Sequence, residues 1–153
     1  MKTLIVCHSY HHGNTKQIAD AMATVLHAAV VSPRDVTAEL LDGYDLIGFG
    51  SGIAFGKHYK QINELVDKLP SFRKNAFVFS TRGDRRLRFY HRALRRQLEE
   101  KGWTVVGEFS CRGYDTYGPN KLVGGIAKGR PNEQDLRDAA EFAQSLSARK
   151  QAE

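Results

Sequence analysis

The chain has 153 residues, 41% of them apolar, and a formal net charge of +6. That is the size of one typical domain, with enough apolar material for a core that needs no staples. Two cysteines, Cys7 and Cys111, exclude a disulfide framework, and the first apolar run is too short for a signal peptide or a membrane span. The expectation is one domain over residues 1–153, soluble and cytoplasmic, with both thiols reduced and buried.

Residues 3–7 (TLIVC) are short, apolar and rich in β-branched side chains, as in a buried strand. After a polar loop with Gly13, Ile18, Met22, Val25 and Leu26 fall on one helical face. Residues 28–31 make a brief second strand. Ser32 as N-cap and Pro33 at the first helical position start a second helix, kept short by Gly43. Residues 44–50 form a third strand, and Ile62, Leu65, Val66 and Leu69 mark a third helix stopped by Pro70. Residues 75–80 form a fourth strand. Tyr90, Ala93, Leu94 and Leu98 mark a fourth helix ended by Gly102. The fifth strand covers residues 103–111, with Gly107 as its point of interruption. A Gly-rich basic stretch, residues 112–130, exceeds ordinary connection lengths and is suspect as functional for that reason. Pro131 and Asn132 then open a last helix, with Leu136, Ala139, Ala140 and Ala143 facing inward.

Five strands thus alternate with five helices. The strands read as continuous apolar runs, as when helices cover both faces of a sheet. An α/β fold follows, a doubly wound five-stranded parallel sheet of order 2-1-3-4-5. In such sheets ligands bind beyond the carboxyl ends of the strands, so the loops after strands 1, 3, 4 and 5 carry the chemistry.

The first of these loops reads Ser9, Tyr10, His11, His12, Gly13, Asn14, Thr15. Hydroxyls, an amide and free backbone N–H groups converge there on a helix N-terminus, a ready site for a phosphate dianion. Ordinary capping by Asn14 or Thr15 is the competing reading. The S-x-x-x-G-N-T segment resembles the phosphate loop of flavodoxins. The later segments FGSGIAFGKHYK, FSTRGD and EFSCRGYDTYGP extend the resemblance over essentially the whole chain.

The resemblance to the flavodoxin-like family implies a three-layer sandwich that holds FMN and carries electrons. By motif position, Ser9, His11, His12, Gly13, Asn14 and Thr15 would cradle the phosphate. Ser51, Gly52, Ile53, Ala54, Phe55 and Gly56 would line one side of the isoalloxazine. Ser80, Thr81, Arg82 and Gly83 would line the other. Flavodoxins often sandwich the ring between aromatics. Phe55 is the candidate on one side, against the alternative of a core aromatic. No aromatic directly follows the fourth strand, which leaves Tyr114, with Asp115 beside it, or Tyr90 for the other side. The implied function is one- or two-electron transfer between redox partners. The alternatives are a small FMN-dependent oxidoreductase acting on a quinone, porphyrinogen or nicotinamide, and a binding module without cofactor.

Other readings of the same fold class fail on particular residues. A low-molecular-weight tyrosine phosphatase needs an arginine six residues after its cysteine, and position 13 is Gly13. A receiver domain needs carboxylates after strand 1, where His8 and Ser9 stand. His8, His11 and His12 have the softness for a metal, but adjacent histidines of one loop rarely converge. No G-x-G-x-x-G fingerprint is present.

Charge adds a further expectation. Seven arginines fall between Arg82 and Arg96; the first reading of this run is a solvated helix face, with a surface for an acidic partner next and nucleic acid last. His8, His11, His12, Lys57, His58 and Arg82 lie in or beside the expected loops. Their positive charge would make the flavin easier to reduce fully than in acidic relatives.

Overall fold

The computed structural model describes residues 1–9, 12–84, 89–116 and 118–151. His11 and three arginines of the basic run, Arg85, Arg86 and Arg88, lie outside the described residues. Strands β1 (Thr3–His8), β2 (Ala29–Val31), β3 (Leu46–Ala54), β5 (Asn75–Arg82) and β6 (Thr104–Arg112) form one parallel sheet, order β2-β1-β3-β5-β6. This is the expected five-strand order. A two-residue strand β4 (Lys57–His58) pairs antiparallel with the end of β3. The helices are α1 (Asn14–Leu26), α2 (Ala38–Asp42), α3 (Lys60–Lys68), α4 (Arg92–Glu100) and α5 (Glu133–Gln151).

Successive strand residues face opposite sides, and both faces are buried. Leu4, Val6, Phe49 and Val78 pack with Ile62 and Val66 of α3 and Leu94 and Leu98 of α4. Ile5, Phe77 and Phe79 pack with Ile18 and Met22 of α1 and Ala139 and Ala143 of α5. Gly48 and Gly50 in β3 admit the rings of Phe77 and Phe79 from the neighbouring strand. A Cβ at either glycine would collide with those rings.

Three local expectations are corrected. Ser32 makes no side-chain cap. Pro33–Asp35 is a single 3-10 turn, and α2 starts only at Ala38, where the Thr37 side chain accepts from the Leu40 N–H. Strand β3 runs on to Ala54 because Ile53 and Ala54 pair with His58 and Lys57 in a hairpin. Ala93 of α4 faces solvent rather than the core. The expected irregularity near Gly107 is a register shift. Val105 pairs with Ala76 and Gly107 with Phe77, so Val106 is the extra residue.

Candidate functional site

Strands β1, β3, β5 and β6 all end on one edge, and the chain leaves each of them through a sharp change of direction. After β1, His12 (φ 56°) and Gly13 (φ 65°) both adopt the left-handed conformation, which aims the chain into α1. The first N–H bonded within the helix is that of Gln17, to the Gly13 carbonyl at 3.2 Å. The Lys16 N–H donates to Ser9 Oγ at 3.2 Å. The N–H groups of Asn14 and Thr15 therefore stand at the open, positive end of the helix.

After β3, Phe55 (φ 52°) and Gly56 (φ 76°) make the hairpin turn, and Phe55 projects with 89% of its surface exposed. Ser51 Oγ anchors this hairpin, accepting from the Tyr59 N–H at 3.0 Å and donating to the Gly52 carbonyl at 2.8 Å. The Tyr59 ring then lies over Gly52, where a Cβ would meet it at 3.0 Å.

After β6 the stretch of residues 112–130 folds back. Asp115 and Ile126 form an antiparallel bridge, with N–H to carbonyl distances of 2.9 and 2.8 Å. The Tyr114 hydroxyl donates to the Gly124 carbonyl at 3.0 Å, and its ring sits 4.5 Å from the His12 ring. Asn14 Nδ2 donates to the Tyr114 carbonyl at 2.8 Å, tying α1 to this loop. The long stretch is thus a built wall rather than a linker.

These turns enclose a cleft of about 790 Å³, within the ordinary range for small-molecule sites. Among the residues expected from sequence, it gathers Asn14, Thr15, Gly52, Ile53, Ala54, Phe55, Gly56, Thr81, Arg82, Gly83, Tyr114 and Asp115. Others lie elsewhere. Ser51 and Ser80 are fully buried beneath the cleft. Ser80 Oγ meets His91 Nε2 at 2.7 Å and Ser110 Oγ at 2.8 Å. Ser9 lies in an adjoining groove with Lys16 and Arg34. His12 and Gly13 stand at the helix entry and do not line the cleft wall. Thr15 is buried, its hydroxyl 2.8 Å from that of Thr81.

Sequence reasoning missed Tyr59, Lys60, Gln61, Asp84, Gly113, Asn120 and Ile126, which also line the cleft. Tyr59 carried a usable signal, an aromatic at a helix entry directly after a Gly-containing turn. Asn120 and Ile126 carried none, because only the bridge to Asp115 brings them round.

Charge beneath the cleft is unevenly kept. Burial, with His91 nearby, pushes the His58 imidazole down to about 3. Burial and the Arg82 charge push His91 down to about 4. Burial also lowers His8. Both thiols are free and buried, each pushed up to about 12 by burial.

The fold and the cleft define a doubly wound α/β domain with a cleft of small-molecule size at the carboxyl edge of its sheet. The sequence matches the flavodoxin domain family over residues 5–115. It is 48% identical over 147 residues to an uncharacterised protein of Methanocaldococcus jannaschii, an alignment covering 95% of this chain and 98% of that one. Two solved structures share the fold over nearly the full length of both chains. Oxidised Flavodoxin 2 from Bacillus cereus has a TM-score of 0.72 at 21% identity, covering 97% of this chain and 99% of that chain. A flavodoxin from the domain Archaea has a TM-score of 0.70 at 20% identity, covering 97% and 98%. The chain belongs to the flavodoxin domain family, whose cofactor is FMN.

Proposed function

We propose that this protein binds FMN in the cleft and passes one or two electrons between redox partners. The observation that carries this reading is the open end of α1. Left-handed His12 and Gly13 present the N–H groups of Asn14 and Thr15 there, at a helix terminus suited to a phosphate. Apart from its chain neighbours, no heavy atom of the described residues lies within 4 Å of where a Gly13 Cβ would stand, which leaves room for an anion. Phe55 on one rim and Tyr114 and Tyr90 on the other offer apolar and aromatic surface to a flat ring. The residues present fit the cofactor.

When bound, FMN supplies the redox chemistry, and the protein supplies orientation and electrostatics. The backbone of the α1 entry would grip the phosphate, because Ser9, Asn14 and Thr15 already use their side chains within the protein. Ser9 keeps its hydroxyl proton and Asn14 its second amide hydrogen for a ligand. Gly56 leaves the hairpin turn open beside the cleft, whereas Gly52 and Gly83 make room for Tyr59 and Asp115 of the protein itself. The hydrogen bonds that fix Tyr114 hold its side of the cleft in place before any ligand arrives. The net charge of +6 suits partners with acidic surfaces.

Titration of FMN into apo-protein tests the reading. Flavin fluorescence should be quenched at one-to-one stoichiometry, and Asn14→Ala should weaken binding. Unquenched FMN at every protein concentration would refute the proposal. A second reading, an FMN-dependent oxidoreductase acting on a quinone, porphyrinogen or nicotinamide, is favoured by one feature. The folded-back stretch adds Asn120 and Ile126 to the cleft wall and so deepens it for a substrate. Turnover of such a substrate without a partner protein would select this reading.

A further inference from the structure

Of the basic groups placed near the cleft, His8, His12, Lys57, His58 and Arg82 fall among the described residues. The structure sorts them sharply. His58 is buried and held neutral at pH 7, as is its neighbour His91. His12 and Lys57 stand exposed, and at the surface water and salt screen charge. Arg82 differs from all of these. It lines the cleft, yet is only 8% exposed. Its Nη1 donates to Ser110 Oγ at 2.8 Å, and its Nε is buried without a hydrogen-bond partner. Among the described residues no carboxylate forms an ion pair with it. Asp84 acts on it only through space and accepts the Tyr90 hydroxyl.

A guanidinium does not shed its proton in a protein. Burying one without a counter-charge is costly, and protein interiors rarely keep such a group. The polar cluster beneath the cleft offers it hydroxyls and neutral imidazoles, the carboxylates of Asp84 and Asp135 reach it only through space, and Arg112, on the neighbouring strand, adds a second positive charge. The floor of the cleft therefore carries a fixed positive charge with which no carboxylate of the described residues makes a direct ion pair. An anion arriving above it would complete the site.

We infer that Arg82 is a charge-tuning residue, which favours the reduced, anionic form of the cofactor over the neutral oxidised ring. The inference rests on the FMN reading above. Two electrons from a donor protein and one proton from water leave one added negative charge on the occupant of the cleft. Arg82 is in place to stabilise that charge before it develops, with no rearrangement. It thereby raises the reduction potential relative to a cleft without a cation.

Potentiometry on the FMN-loaded protein tests this, at pH 8, where His58 and His91 are neutral. Arg82→Gln should lower the preference for reduced over oxidised FMN about tenfold, a fall of about 30 mV in the two-electron midpoint. Arg82→Lys should keep most of the wild-type value. Ser110→Asp, which sets a carboxylate against Nη1, should shift the potential in the same direction as Arg82→Gln and serves if that variant does not fold. FMN bound with an unchanged midpoint in the folded variants would overturn the inference and leave the FMN reading intact. Failure of the wild type to bind FMN would overturn both.

Discussion

Acid should unfold this protein through two histidines that the fold buries uncharged. His58 donates from Nε2 to the Phe79 carbonyl, the two atoms 3.1 Å apart, and its ring lies 5.0 Å from that of His91. His91 in turn meets Ser80 Oγ and stands 3.5 Å from Glu108. In the unfolded chain both imidazoles titrate near 6.5; in the fold they are pushed down to about 3 and about 4. Above pH 6.5 neither state binds these protons, and the contribution to stability is complete. As pH falls below 6.5, the unfolded chain takes up protons that the native state refuses. Each site then costs about 1.4 kcal/mol per pH unit. Two sites over two units, from pH 6.5 to 4.5, give a loss on the order of 5 kcal/mol. That is comparable to the whole stability of a marginal domain, about 5–15 kcal/mol. Urea unfolding followed by far-UV circular dichroism at pH 7.5, 6.5, 5.5 and 4.5 measures it. His58→Gln keeps an amide donor for the Phe79 carbonyl but cannot titrate, so it should remove about half of the pH slope. Midpoints that stay flat from pH 7.5 to 4.5, or a His58→Gln variant with the full slope, would refute the reasoning.

Gly50→Ala should destabilise the protein by about 1–3 kcal/mol in urea, because its Cβ is driven into the Phe79 ring in a packed layer. Thr15→Val leaves the buried Thr81 hydroxyl without its partner at 2.8 Å and should cost about 1–3 kcal/mol by the same measurement. Cys7 and Cys111 should resist alkylation at pH 8 in the folded protein and react quickly once it is unfolded, since burial raises both thiols to about 12. The same shift predicts stability that is complete below pH 9 and falls as pH climbs toward 12, readable as a declining thermal midpoint.

The strands and helices around the parallel sheet were legible in the chain because they depend on local pattern. Strand residues buried on both faces must be apolar without interruption, and helices that cover them must show one apolar stripe. The turn into α1 was legible for a similar reason, since its signal, Gly13 followed by Asn14 and Thr15, lies in consecutive residues. The length of β3 was not, because Ser51 and Gly52 pair with the distant strand β5 and Ile53 and Ala54 pair only after the chain turns back on itself at Phe55 and Gly56. Nor was the depth of the cleft, which depends on Asp115 meeting Ile126 eleven residues later. Ser51 and Ser80 sit in loop-like motifs yet point beneath the site, a matter of which side of a strand each residue occupies. The fate of the charges was the least legible. His58 and Arg82 look alike as basic letters near a loop, but burial strips the proton from an imidazole and cannot take it from a guanidinium. Local periodicity encodes which segments fold into which elements, whereas burial and the field of distant residues arise only when those elements close around one another.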